Sequence, residues 1–234
     1  MGQYTEKVLG FVTSADGKEK SLVGCSYTNM NLQEFVIGPA KSVDQKIVIK
    51  DVSVLNCEIS PGAFAIYWGV YLDKVIFENV KSKDSMIIST FAGFNNVIIK
   101  GRLGSGLWVR PDGLLERDRA VQFKEWAREL SSDVDWMLDI SEYEADHVEI
   151  IGLPLEKVRF NPSNHVVINK ELGIKVDWST LGFEKRNFWN SSLLRLKSYG
   201  VDSGIFGMPL RGNKHYERTA YERDVLVKRG LIDC

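Results

Sequence analysis

An apolar residue, two polar or small positions, and then two β-formers one position apart recur along the chain. The copies are Leu32-x-x-Phe35-x-Ile37, Ile49-x-x-Val52-x-Val54, Leu72-x-x-Val75-x-Phe77, Phe94-x-x-Val97-x-Ile99 and Leu155-x-x-Val158-x-Phe160. Val52 to Val75 is 23 residues and Val75 to Val97 is 22, a period typical of stacked supersecondary units. Alternation within a copy places Val75 with Phe77, and Val97 with Ile99, on one strand face, which is a core layer.

The second half of each period also reads as strand. Phe64 to Trp68, Ser85 to Ser89 and Gly106 to Val109 are short and β-rich, and turn formers such as Ser60-Pro61-Gly62 and Gly101 to Gly104 separate them from the template strands. Residues 31–110 therefore resemble a right-handed parallel β-helix, with Asn56, Asn79, Asn95 and Asn96 near turns where such folds stack amides. The expected fold is mainly β, a parallel β-helix-like solenoid with coils of about 22 residues, one inserted amphipathic helix and a C-terminal helix. An irregular leucine-rich-type solenoid is the alternative, and strands of another β-rich domain would leave the same stripe in the core.

From Leu114 the period stops. Phe123, Trp126, Leu130, Val134 and Met137 recur at three and four residues, which predicts an inserted amphipathic helix over 114–140. The template returns in part at Val148-x-Ile150, 51 residues after Val97, and further strands are expected over 145–180, at Val166 to Ile168 and Ile174 to Val176. An aromatic-rich run from Phe183 to Trp189 follows, and a C-terminal helix is expected over 213–230, ended by Gly230. The 234 residues are read as one domain.

Composition changes this picture little: 44% hydrophobic and 26% charged is an ordinary globule, and the formal charge of −1 gives no global attraction to nucleic acid or lipid. The distribution of charge is more informative. Residues 1–110 carry 12 Lys and Arg against 10 Asp and Glu, residues 111–160 carry 6 against 13, and residues 161–234 carry 12 against 8. Asp133, Asp135, Asp139, Glu142, Glu144, Asp146 and Glu149 fall within seventeen residues that contain no Lys or Arg. A solvated loop explains such a run as readily as an acidic docking surface does.

Three cysteines, Cys25, Cys57 and Cys234, are odd in number and widely spaced, which fits reduced thiols better than a disulfide frame or a zinc site. Met1 to Val12 holds no signal-peptide-like apolar run, and the longest apolar stretch, Phe64 to Leu72, is too short to span a bilayer. A cytoplasmic protein without a membrane span is the expectation.

No catalytic signature stands out. H-E-x-x-H, P-loop and C-x-x-C motifs are absent, Gly101-x-x-Gly104-x-Gly106 reads as a turn, and His147, His165 and His215 have no ligand spacing. No catalytic residue, metal site or cofactor is therefore expected. In overall character the chain is similar to toxin-neutralising immunity proteins. That resemblance implies a non-catalytic binding protein that blocks the basic cleft of a nuclease-type toxin. The candidate partner-binding residues are Asp133, Asp135, Asp139, Glu142, Glu144 and Asp146, with Tyr143 as an aromatic anchor. A carbohydrate-binding or polysaccharide-cleaving β-helix protein is the alternative, with Tyr67, Trp68 and Tyr71 stacking on sugars and Lys74 or Lys81 meeting a carboxylate.

Overall fold

The computed structural model describes residues 20–102, 106–113, 115–184 and 186–232. The segment Met1 to Val12, Gly104 and Cys234 lie outside the described residues. The chain is mainly β, built from parallel sheets with a few helices. A first sheet runs through Lys20–Val23, Ile47–Leu55, Val70–Glu78, Val97–Arg102, Leu138–Asp139 and Val158–Arg159, each parallel to the next. A second runs through Phe35–Ile37, Phe64–Ile66, Met86–Ser89, Leu107–Arg110 and Val148–Ile151, also parallel. A third, short sheet joins Asn31–Leu32, Glu58–Ile59 and Lys81–Ser82.

The register is that of the repeat. Val52 lies opposite Val75, and the pairing of Ile98 with Ile76 sets Val97 beside Val75. All three are at most 1% exposed. The two polar positions of the template are a corner. In Ile47–Leu55, Ile47 and Ile49 face inward, Lys50 and Asp51 face out, and Val52 and Val54 face inward again. Strict alternation cannot do this, and a left-handed residue between the two halves supplies the change of phase: Asp51, Lys74 and Asn96 have φ of 51°, 54° and 55°, and Gly24, in the same column, 63°.

A second column of left-handed residues, Asn29, Asn56, Asn79 and Gly101, follows, the first three just after a strand and Gly101 one residue before the end of Val97–Arg102. Asn tolerates this conformation because its short amide bonds locally, and Asn79 Nδ2 donates to Asn56 Oδ1 at 3.0 Å. At Gly101 a Cβ would stand 2.1 Å from Asn79 Oδ1, so the column there requires glycine. Outside the first corner, Lys50 Nζ lies 3.2 Å from Asp73 Oδ2 and Asn95 Nδ2 donates to Asp73 Oδ1 at 2.7 Å, a polar ladder that holds three successive strands in line. The interior is apolar throughout: Phe35 stacks on Phe64 at 5.0 Å, and Phe77 meets both edge-on.

Four expectations need correction. Leu32 belongs to the third sheet and Phe35–Ile37 to the second, so this first copy is not the predecessor of Ile49-x-x-Val52. The first-sheet partner of Val97 is Leu138, and Val148-x-Ile150 pairs instead with Leu107–Val109 in the second sheet. The inserted helix, α1, is Arg117–Leu130 and stops well before residue 140. It ends at Ser131, and Val134 and Met137 pack on the main core in the seven-residue link that leads to the strand at Leu138. Ile174 and Lys175 lie in a short helix, α2, Leu172–Lys175, and not in a strand.

α1 packs through Phe123, which is 1% exposed, against Ala40, Trp68 and Phe91. Ser131 Oγ at its C-terminal end accepts the Phe94 N–H at 3.0 Å, and Arg119 Nη2 donates to Lys41 O at 2.9 Å. The excursion thus lies against the outside of the strands while the register continues beneath it.

The C-terminal part has its own core. The strand Ser203–Gly207 pairs antiparallel with Val148–Ile151, and His165–Asn169 pairs antiparallel with it in turn. Helices α3, Phe188–Tyr199, and α4, Tyr216–Lys228, close over this extension through Trp189, Leu196 and Leu226. α3 begins at Asn187, whose side chain accepts the Asn190 N–H, and ends at Gly200 with φ 64°.

His165, 2% exposed, sits in the first of these strands with Nδ1 3.2 Å from the Asn161 carbonyl. Burial holds its imidazole down at about 4, the Asn161 carbonyl opposing only in part. Between the ordinary value near 6.5 and this one, the unfolded chain takes up a proton that the folded chain refuses, so stability falls as pH drops through that window. The loss is expected to reach about 3 kcal/mol by pH 4. Urea midpoints measured from pH 7.5 to 4 for the native chain and for His165→Gln check this, since the variant should lose this component of the slope.

Candidate functional site

The acidic segment begins at the end of α1 and runs over two parallel strands, Leu138–Asp139 and Tyr143–Glu144. Lys157 anchors the turn after the helix, its Nζ donating to Ser131 O at 2.9 Å and Ser132 O at 2.6 Å. Asp133 and Asp135 project from that turn and are exposed. Ser132 Oγ donates to Asp133 Oδ1 at 3.2 Å.

Asp139 is half-buried and committed to its own surroundings. Its Oδ1 accepts from Ser141 N at 2.9 Å and Ser141 Oγ at 2.6 Å, and its Oδ2 lies 4.0 Å from Arg159 Nη1. Arg159 in turn stacks over Trp136 at 4.6 Å. This pair follows from register, since Asp139 and Arg159 are opposite each other in the parallel pairing. Glu142 follows the next turn and is exposed, while its backbone carbonyl accepts Gly101 N at 2.9 Å.

Tyr143 is 0% exposed and lies in the main core. Desolvation pushes its phenol well above the usual range. It therefore cannot reach a partner, and the expected aromatic anchor is a core residue: in the strand Tyr143–Glu144 the alternation turns Tyr143 in and Glu144 out. Glu144 lines a groove with Arg211 and Arg223. Asp146 is exposed, and its Oδ1 accepts Leu210 N at 3.2 Å. Glu149 is tied to Arg195 at 3.5 Å.

The seven carboxylates thus divide. Asp139 and Glu149 are held by arginines, whereas Asp133, Asp135, Glu142, Glu144 and Asp146 are exposed and make no ion pair among the described residues. Such groups keep their hydration and their long-range field, and can steer a cationic partner without a desolvation cost in the free protein.

The aromatic positions weighed for sugar stacking are differently placed. Trp68 is 9% exposed beneath α1, its Nε1 donating to Ala40 O at 3.0 Å, while Tyr67 and Tyr71 are only partly exposed. Among the described residues no group of three His, Cys, Asp or Glu side chains is arranged to hold a metal ion, and no helix is long and apolar enough to cross a membrane. Cys25 and Cys57 are free thiols. Comparison with protein-family models, curated proteins and solved structures gives no match.

Proposed function

We propose that the chain is a non-catalytic binding protein of the cytoplasm, in which the parallel strands stack as a β-helix-type solenoid and the acidic segment docks a basic protein surface. The partner class we favour is a bacterial toxin domain of the nuclease type, whose cationic substrate cleft the segment would cover in the manner of an immunity protein. One observation carries this reading. Asp133, Asp135, Glu142 and Glu144 are exposed carboxylates that make no ion pair among the described residues, the first two on the turn anchored by Lys157 and the last two at the strand that pairs with Gly101 and Arg102. A rigid frame that holds like charges close together costs self-repulsion, which a cationic partner relieves. The docking set is therefore these four with Asp146, and Asp139 positions Ser141 and Arg159.

The triple variant Asp133→Lys/Asp135→Lys/Glu142→Lys tests it. Exposed charges contribute little to stability, so the melting temperature should stay within a few degrees, a change of less than about 1 kcal/mol. A partner recovered by in-cell cross-linking should be basic, should cross-link to the 133–146 segment, and should associate with the native chain at a rate that falls with added salt. The triple variant should slow that association by about tenfold or more. A cross-linked partner that contacts a different face, with an association rate indifferent to the three substitutions, would refute the reading.

A further inference from the structure

Beyond partner docking, a second site lies at the junction of the two cores. The strand Val148–Ile151 turns Val148 and Ile150 into the main core and Glu149 outward, between Trp108 and Phe206 of the neighbouring strands. The first turns of α3 and α4 face this outer surface and leave a cavity of about 440 Å³, lined by Arg186, Arg195, Arg218, His147, His215 and Glu149 among others. Its size is that of a small-molecule pocket.

The cations in it are not equivalent. Arg195 is compensated by Glu149 at 3.5 Å, and Arg218 by Glu184 at 2.5 Å, with the buried Glu222 a further 3.8 Å contact. These pairs fix the two guanidinium groups in place. Arg186 is exposed and makes no ion pair among the described residues, so its charge is available. His147, just before the strand Val148–Ile151, and His215, at the N-cap of α4, are exposed and also line the cavity. Phe188 supplies a partly exposed apolar wall. The N-terminal ends of a 12-residue and a 13-residue helix add partial positive charge from the same side.

We infer that this cavity binds a small molecule through a phosphate group, received by Arg186 between the first turns of α3 and α4, with the rest of the molecule against Phe188. Guanidinium groups and helix N-termini suit phosphate oxygens, which accept several hydrogen bonds at once. The site borders the acidic segment, since Asp146 and Glu149 also line the cavity, but neither Arg186→Gln nor the triple variant above alters those two carboxylates, so the two readings fail separately.

Isothermal titration calorimetry on the full chain separates the possibilities, using phenyl phosphate, inorganic phosphate and benzoate as probes. Saturable one-to-one binding of phenyl phosphate is expected, tighter than benzoate, and Arg186→Gln should weaken it by about tenfold or more. Lys83→Gln, which removes an exposed lysine beside the third sheet, should leave it unchanged. Phenyl phosphate binding more tightly than inorganic phosphate assigns a phosphate ester. Equal affinities assign the free anion and retain the phosphate site. No saturation below about 10 mM, benzoate binding at least as tightly, or equal losses in Arg186→Gln and Lys83→Gln would overturn the inference. Because Arg186 is exposed and makes no ion pair among the described residues, its variant should fold normally, and amide shifts on titration should cluster at residues 147, 186–191 and 213–219.

Discussion

Val75→Asp should abolish the folded state, while Ile76→Asp, one position further on, should leave a cooperative transition. Val75 is 0% exposed and stands in a column with Val52 and Val97, so a carboxylate there has apolar neighbours above, below and across the interior. An unpaired buried charge costs at least about 3–5 kcal/mol, a large part of the roughly 5–15 kcal/mol that holds a domain folded. Ile76 points the other way and is only partly buried, so its carboxylate can remain hydrated. Val75→Ala should lose about 2 kcal/mol and keep the transition, which separates lost volume from buried charge. Urea denaturation followed by circular dichroism and tryptophan fluorescence reads all three, and similar midpoints for Val75→Asp and Ile76→Asp would contradict the strand phase.

Gly69→Ala should be the most damaging small substitution at the seat of α1. Gly69 has φ 74°, and a Cβ there would lie 2.4 Å from Ala40 Cβ and 2.8 Å from Phe123 Cε1. The left-handed backbone accounts for about 1–2 kcal/mol and the collision for a further 1–3. Ala40→Gly removes the nearer obstacle, so the double variant Ala40→Gly/Gly69→Ala should recover part of the steric loss and none of the backbone loss. Hydrogen exchange should show α1 opening first, because Phe123 is its deepest contact. Protection of α1 amides unchanged in Gly69→Ala would show that the helix does not depend on this seat.

Much of the strand order is written in the repeat, because each rung must present the same apolar face to the same interior. The misreadings have physical origins. The two polar template positions carry a left-handed corner, visible in sequence only as Lys50-Asp51, Asp73-Lys74 and Asn95-Asn96. Leu32 and Phe35 imitate the pattern because the two-residue link Gln33-Glu34 between the third sheet and the second also has a buried apolar residue on either side. Val148 resembled a first-sheet residue because both sheets face one core and demand the same residue types, whereas Leu138 was hidden in a helical periodicity that Val134 and Met137 prolong. α3 carries its signals at Asn187 and Gly200, with Trp189, Ser192 and Leu196 on its buried side, and the aromatic-rich run Phe183 to Trp189 overlaps only its first turn. Within the acidic run, charge could be read from sequence but commitment could not: Asp139 is claimed by Ser141 and Arg159, and Tyr143 by the core.

The reversal of direction at Ser203–Gly207 has a consequence for how copies of this chain can meet. A stack of parallel strands ends in an open edge that another rung of the same sense could extend, the route by which repeated units polymerise into fibres. Here the second sheet finishes instead with two antiparallel strands, and α3 lies against both of them. His165–Asn169, the outer of the two, again runs in the sense of the parallel strands, so what distinguishes this edge is the packing of α2 and α3 against it and not its polarity. That cover is of the kind that keeps an edge strand from pairing with another chain, so copies of this protein would have to displace the helices before they could extend the second sheet at this end.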